Sequence, residues 1–427
     1  MTSQDCGARI AACIRKIQQP ELSVSLINTL SSVASSVQGE PQRHFFLSAA
    51  EPSADRYAAA VIRALSGRSP GMRFTGVAGP AMQAEGCRAL ANLADRAAML
   101  TGVVGLLRTG YRILKDVDRC FAVDRPDAVI LVDSPTLHLP MARIARRHHI
   151  PVIYYVAPQL WAWAAWRIGR VRRRVNRLAV ILPFEEAYFR ARGVNAEYVG
   201  HPLFEVLRER APDPEEVAGL RRLGDPILGL MPGSRAHVVS EVLPGQIEVV
   251  ERLLSRGFSG ISALVSAATP STTPIVERLI AESRIADRLH IRRGDSDALI
   301  AASDLVLTAS GTSTLHIAHY RKPMIVMYQA SWLFYHAVGR WLVRTPRLSL
   351  PNIIAGRDIV PEFMPYYHST APIAEAASRI LTDASTRERM IAEIEILAAG
   401  LNGSGVAQRV ADMALEELRK ADSKDIA

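Results

Sequence analysis

The 427-residue sequence has only four cysteines, Cys6, Cys13, Cys87 and Cys120, and none of them form a CxxC or a metal-ligand spacing. That excludes a disulfide scaffold and a cysteine-built zinc site, and reduced thiols are expected. No stretch reaches the roughly 18 uninterrupted apolar residues of a membrane span. Lysine is scarce: Lys16, Lys115, Lys322, Lys420 and Lys424 stand alone, so the excess of 51 basic over 42 acidic residues, formally +9, is carried by arginine. No HExxH, GxxxxGK[ST] or Ser/His/Asp order is present, so no motif points to zinc-peptidase, P-loop or triad-hydrolase chemistry.

What is there describes a folded chain. At 49% hydrophobic and 22% charged it is neither disordered nor collagen-like, and its length suits two to three domains. Arginine forks onto phosphate, so phosphorylated substrates or an anionic membrane surface are reasonable partners. An arginine-favouring codon bias accounts for the same counts equally well.

Residues 1 to about 42 read as an appendage rich in Ser and Gln, with no long apolar region that would make a secretory leader. From His44 onward, short apolar runs end in polar or Pro-containing loops and alternate with helical stretches. Phe45–Leu47 enters the loop Ala50-Glu51-Pro52-Ser53-Ala54-Asp55, Ala128–Val132 ends at Asp133-Ser134-Pro135, and Val152–Val156 ends at Ala157-Pro158. The second half repeats the plan, with Ile227–Met231 running into Pro232-Gly233-Ser234-Arg235 and Leu305–Thr308 into Ala309-Ser310-Gly311-Thr312-Ser313. This alternation predicts α/β architecture with parallel sheets and crossover helices. The polar stretch 208–225, with Pro212 and Pro214, reads as the linker between two halves, and ligands bind at strand carboxyl ends in the cleft between them.

Several segments carry chemistry. In the Pro232–Arg235 loop, glycine admits close approach and Ser234 and Arg235 suit anionic oxygens, although a tight turn with a solvent-facing arginine looks the same. The Ser310–Thr314 loop can offer amides and hydroxyls to a diphosphate, as any capping cluster can. Asp133, at a strand mouth, is a candidate general base, with Glu51 and Asp55 on the first loop of the same half; an anchoring aspartate is as common. Finally, Trp161, Trp163 and Trp166 precede a basic stretch whose Arg167, Arg170, Arg174 and Arg177 fall on one helical face, and Trp332, Phe334 and Trp341 lie among further arginines. A solvated face is the default there; an anionic lipid surface or nucleic acid are the alternatives.

Taken in order from about Phe45 to about Phe363, these segments resemble lipid-A-disaccharide synthases, glycosyltransferases of the GT-B type. The resemblance is carried by Gly76–Pro80 with Met82–Gly86, Tyr155–Trp163, Leu182–Glu185, Gly200-His201-Pro202, Pro232–Arg235, Ala309–Thr312, and Ser349–Asn352 with Ala355–Arg357. It implies two Rossmann-like domains facing across a cleft: an acceptor and catalytic domain at 43–207, the linker at 208–225, a UDP-sugar domain at 226–370, and helices at 371–427 packing back across the cleft.

The resemblance also implies an activity: transfer of 2,3-diacylglucosamine from UDP to the 6-hydroxyl of 2,3-diacylglucosamine 1-phosphate, inverting the anomeric centre. Asp133 matches the family's base, with Glu51 and Asp55 beside it. Gly233, Ser234, Arg235, Ser310, Gly311, Thr312, His316 and Asn352 are expected to hold the UDP-sugar. Trp161, Trp163, Arg170, Arg174, Trp332, Phe334 and Trp341 are expected to meet acyl chains or an anionic inner-membrane surface from the cytoplasmic side. No metal, cofactor or nucleic acid is implied, and pairing with a second copy is left open. The sequence departs from the family where Ala50 and Ala54 replace glycines, where Pro52 is gained, and where His316 replaces a glutamate that accepts from ribose hydroxyls. Those departures admit two alternatives, a paralogue with another donor or lipid acceptor, and a non-catalytic lipid- or nucleotide-binding homologue.

Overall fold

The structure, a computed structural model, describes residues 43–69, 71–91, 103–163, 165–329, 346–401 and 403–425. The expectations placed on residues 1–42 and on Trp332, Phe334 and Trp341 lie outside the described residues.

The short apolar runs become strands because helices cover both faces of each sheet, leaving no solvated side to demand polar alternation. The first sheet comprises β1 (His44–Ala49), β2 (Arg73–Val77), β3 (Arg88–Ala91), β4 (Ala128–Val132), β5 (Val152–Tyr155), β6 (Arg177–Val180) and β7 (Ala196–Tyr198), in the spatial order β3-β2-β1-β4-β5-β6-β7. The second comprises β8 (Ile227–Met231), β9 (Ser262–Ala267), β10 (Leu289–Arg293), β11 (Leu305–Thr308), β12 (Met324–Met327) and β13 (Glu362–Phe363), in the order β10-β9-β8-β11-β12-β13. Neighbouring strands are parallel in both. Along β1, Phe45 and Leu47 enter the core beneath helix Pro52–Arg68, whereas Phe46 enters the opposite core and meets Phe121 edge-on at 4.9 Å.

Strand order reverses between β1 and β4 in one sheet and between β8 and β11 in the other. Register there brings Ala49 beside Val132 and Met231 beside Thr308. The loops that bear Glu51 and Asp133 therefore leave adjacent strands, as do the loops Pro232–Arg235 and Ala309–Thr312. In open α/β sheets these reversal points are where a crevice forms.

The polar stretch at 208–225 is not an extended linker. Helix Pro214–Arg221 occupies its middle, capped by Asp213, which accepts from the Glu215 N–H at 3.0 Å, and it packs on helix Asp297–Ala302. Its charges hide a single apolar face: Leu220 is buried in the second core with Val217 against it. Phe204 also belongs to that core, so the chain changes domain near Gly200.

The end of the chain behaves in two ways. Helices Ala371–Thr382 and Ala384–Leu401 bury Ile373, Ile380, Ile394 and Leu401 in the second core, and only helix Val406–Asp425 returns, lying on helix Pro52–Arg68 of the first. Ala384–Ser423 is long and apolar enough to cross a membrane by length and composition alone, while Ile394 and Leu401 in the second core and Val410 and Leu418 in the first are buried within the protein. The two crossings touch. Arg409 donates from Nε and Nη2 to the Val199 carbonyl at 2.9 and 2.6 Å, and Arg208 donates to the Gly403 carbonyl at 2.9 Å. Gly200 sits there at φ +90, and a Cβ on it would lie 3.2 Å from Arg409 and Val406, so glycine serves both conformation and space.

Candidate active site

Helix Pro52–Arg68 begins with Glu51 at its N-cap in extended conformation (φ −126) and Pro52 in its first turn. No left-handed residue is required in this loop, so the proline fits a position it favours. Glu51 is exposed and faces the cleft. Asp55 does not. It is buried, and its carboxylate accepts from the Gly79 N–H at 2.9 Å, the Ala81 N–H at 2.8 Å and the Met82 N–H at 3.3 Å. The expected catalytic role of Asp55 is thus corrected: it anchors the start of helix Pro80–Ala84, and it explains Gly79, where a Cβ would fall 2.5 Å from the Asp55 carboxylate.

Asp133 follows β4 and lines the cleft. Five described non-glycine residues have positive φ, and three of them, Asp133 (+58), Ser134 (+44) and Val156 (+64), stand together at the ends of β4 and β5. Such conformations cost about 1–3 kcal/mol each and cluster where function demands them. Burial pushes the Asp133 carboxyl above its ordinary value against a bond from the Ser134 backbone, and the nearby Glu51 charge adds to the rise. Tyr57, from helix Pro52–Arg68, stands beside it in the cleft with its phenol driven by burial to about 12.

From the second sheet, Gly233 (φ +118), Ser234 and Arg235 reach the same cleft, Arg235 as the N-cap of helix Ala236–Ser255. Among the described residues no carboxylate forms an ion pair with its guanidinium, whose charge acts on the neighbouring Tyr328 phenol. Ser310, Gly311 (φ +140) and Thr312 line the cleft beside them, and His316 follows one helical turn on. The cavity shared by both halves has a volume of ≈ 800 Å³. His316 is tied to Asp297, Nε2 to Oδ1 at 2.6 Å, and Tyr320 donates to the same oxygen at 3.0 Å. Burial opposes the Asp297 charge, but the bonds from His316 and Tyr320 outweigh it and hold the carboxyl below its ordinary range.

Three expectations are corrected. Asn352 is fully buried and spends its amide internally: Oδ1 accepts from the Ile359 and Val360 N–H groups, and Nδ2 donates to the Val360 carbonyl and to Glu362. It clamps a turn and has no group left for a nucleotide. Trp161 is also buried, its indole N–H donating to Glu185 at 2.9 Å, so it does not present a face to acyl chains. Among the described residues Trp166 is an exposed tryptophan, 65% exposed, with the guanidinium carbons of Arg167 and Arg170 at 4.8 and 5.3 Å from its ring centroid. Arg170 is exposed, whereas Arg174 is half-buried and donates to the Leu139 carbonyl at 3.0 Å. Arg177 leaves the basic face altogether: the helix ends at Arg174, and Arg177 lies in β6, bonded to Glu197 and Glu416. Trp163 closes the short helix Leu160–Trp163.

Glu185, Val156, Tyr57 and His201 line the cleft without having been singled out as site residues. Glu185 accepts from Trp161 and from the Ile181 and Leu182 N–H groups, while burial pushes it to about 7. The Trp161–Glu185 bond joins two of the resemblance segments, and their shared appearance was the one signal that could have found it. His201 is neutral, lowered by burial to about 4, and accepts from the Leu203 N–H as a helix cap.

A family model described as lipid-A-disaccharide synthetase matches residues 45–410. The lipid-A-disaccharide synthase of Anaeromyxobacter dehalogenans (strain 2CP-C) is 36% identical over 376 residues, 87% of this chain and 96% of that one. This chain belongs to the lipid-A-disaccharide synthase family. It is accordingly an enzyme, a glycosyltransferase of lipid A biosynthesis. The synthase of Syntrophus aciditrophicus is 34% identical over 88% of this chain and 97% of its own, and that of Myxococcus xanthus 34% over 87% and 96%. Among solved structures, a UDP-GlcNAc 2-epimerase from Neisseria meningitidis bound to UDP-GlcNAc superposes with a TM-score of 0.58 at 12% identity, covering 88% of this synthase and 100% of that chain. An S. aureus MnaA–UDP co-structure gives 0.58 at 11%, covering 86% and 94%. At these identities the likeness is one of fold, and it agrees with the two-domain GT-B architecture.

Proposed function

We propose that this synthase moves 2,3-diacylglucosamine from UDP to the 6-hydroxyl of 2,3-diacylglucosamine 1-phosphate with inversion at the anomeric carbon. The observation that carries the proposal is the shared cleft: a carboxylate from one reversal point shares it with a guanidinium and a small-residue loop from the other. Asp133 takes the proton of the 6-hydroxyl as its oxygen bonds to the anomeric carbon, and the bond from that carbon to the diphosphate breaks on the opposite face. The displaced UDP carries the electron pair, and Arg235 with the Ser310–Thr312 loop stabilises its charge, so the proposal includes no metal and no cofactor. The structural neighbours, described as bound to UDP and to UDP-GlcNAc, support a uridine nucleotide as the ligand.

The test is the product. Purified synthase supplied with both substrates should yield a disaccharide 1-phosphate by mass spectrometry, with a β linkage by the anomeric coupling in NMR. An α linkage would overturn inversion, and product made only from another sugar nucleotide would favour the paralogue reading.

His316 lines the donor half of the cleft, tied to Asp297. Restoring the family's glutamate is not expected to help, because it would set a carboxylate against Asp297 where a 2.6 Å bond now lies. His316→Glu is expected to weaken UDP binding about tenfold by calorimetry. Adding Asp297→Asn should recover most of it.

We also place the enzyme on the cytoplasmic face of the inner membrane, held by the exposed Trp166 and its arginines. Trp166→Ala with Arg170→Glu is expected to abolish flotation with phosphatidylglycerol vesicles while leaving binding of UDP unchanged. Undiminished flotation would remove this surface from consideration.

A further inference from the structure

Asp133 and Ser134 hold consecutive left-handed conformations, at φ +58 and +44, immediately after β4. Neither is glycine, so something must hold the main chain there. The Asp133 carbonyl has two partners: the Tyr154 hydroxyl donates to it at 2.5 Å, and His138 Nδ1 lies 2.6 Å away. The Asp133 N–H in turn donates to the Tyr155 carbonyl at 2.9 Å. Both main-chain groups of this residue are therefore fixed.

The tautomer of His138 follows from its partners. A carbonyl offers no proton, so Nδ1 carries one and donates. The other nitrogen, Nε2, stands 2.9 Å from Ser48 Oγ and accepts from it, because burial lowers the imidazole to about 4 and keeps the ring neutral. Burial likewise raises the Tyr154 phenol, which stays protonated and able to donate. Ser48, His138 and Tyr154 are all fully buried in the sheet and its covering helix, and none of them lines the cleft. They cannot touch a substrate. They reach the chemistry only through the main chain of Asp133.

We infer that Tyr154 and His138, with Ser48 behind His138, are positioning residues that hold the strained backbone of Asp133 so that its carboxylate points into the cleft. This rests on the reading of Asp133 as the base. Without the two donors, the peptide after Asp133 can rotate toward negative φ, which carries the carboxylate away from the acceptor hydroxyl. A displacement of about 1 Å is enough to cost up to 10²-fold in rate.

Tyr154→Phe tests this, since it keeps the ring and removes one donor. Its kcat is expected to fall about tenfold, with KM for both substrates changed less than about twofold. The acid limb of its pH–rate profile should move to lower pH, because a loosened Asp133 becomes better solvated. In an Asp133→Asn background the same substitution should cost nothing further, as two residues acting through one group are not additive. Ser48→Ala, which leaves the Asp133 carbonyl untouched, provides a milder variant and should lower kcat in the same way by a few-fold. An unchanged kcat in Tyr154→Phe and Ser48→Ala, alongside an inactive Asp133→Asn, would overturn the positioning role and leave the base assignment standing. Equal losses with and without Asp133 would overturn it too, by showing a general packing effect. Full activity in Asp133→Asn would instead remove the base assignment, and the positioning role with it.

Discussion

Asp133→Asn is expected to lower kcat by about 10²–10⁴-fold while leaving the affinity for UDP within about twofold. The carboxamide has the shape of the carboxylate and keeps its place at the mouth of β4, but it cannot take a proton from the acceptor hydroxyl. The pH dependence of the native enzyme adds a signature. Burial, with the charge of Glu51 adding to it, raises the Asp133 carboxyl above its ordinary value. A base works only when deprotonated, so the rate should rise with pH through this value and the acid limb should lie above the usual carboxylate range. Glu51→Gln removes the neighbouring negative charge and should shift that limb to lower pH. Steady-state rates across pH 3.5 to 8, about the range in which a raised carboxyl titrates, would check both. A near-normal kcat in Asp133→Asn would end the assignment.

Arg235→Ala carries the second large effect, a loss of about 10²–10³-fold in kcat/KM. Among the described residues no carboxylate pairs with its guanidinium, which lies near the Tyr328 phenol at the cleft end of helix Ala236–Ser255, where an incoming diphosphate would supply the anionic partner. Charge on the leaving group grows as the sugar departs, so the loss should appear in kcat as well as in KM. Arg235→Lys keeps the charge but not the fork, and should fall between alanine and the native enzyme. Isothermal titration with UDP separates the binding part. If Arg235→Ala binds UDP and turns over as the native enzyme does, the diphosphate lies elsewhere.

The runs at Phe45–Leu47, Ala128–Val132, Ile227–Met231 and Leu305–Thr308 were legible as buried parallel strands because both of their faces are covered, and a continuous apolar run is the imprint of that. The loops after them were legible as site loops for the same reason: polar residues that follow a buried strand stand at its carboxyl end. Strand order was not legible, since it depends on pairing between segments far apart. Only the fold reveals that the Glu51 and Asp133 loops, and the Arg235 and Thr312 loops, flank the two reversal points.

Asp55 and Asn352 misled for a different reason. Each is a polar residue in a recognisable motif, and sequence does not record where its hydrogen bonds go. In the fold, three backbone N–H groups occupy Asp55, and a turn at Ile359 and Val360 occupies Asn352. The tryptophans show the limit of face-reading. Trp161, Trp163 and Trp166 precede a helix that begins only at Ile168, so helical spacing could not tell that Trp161 turns inward to Glu185 while Trp166 turns out. The helix also ends at Arg174, which leaves Arg177 in a strand.

UDP release from UDP-2,3-diacylglucosamine, measured with and without 2,3-diacylglucosamine 1-phosphate, tests the central claim most directly. Release that depends on the acceptor in the native enzyme and vanishes in Asp133→Asn is the predicted result. Release that ignores the acceptor, or no release from folded protein that still binds UDP, would contradict it.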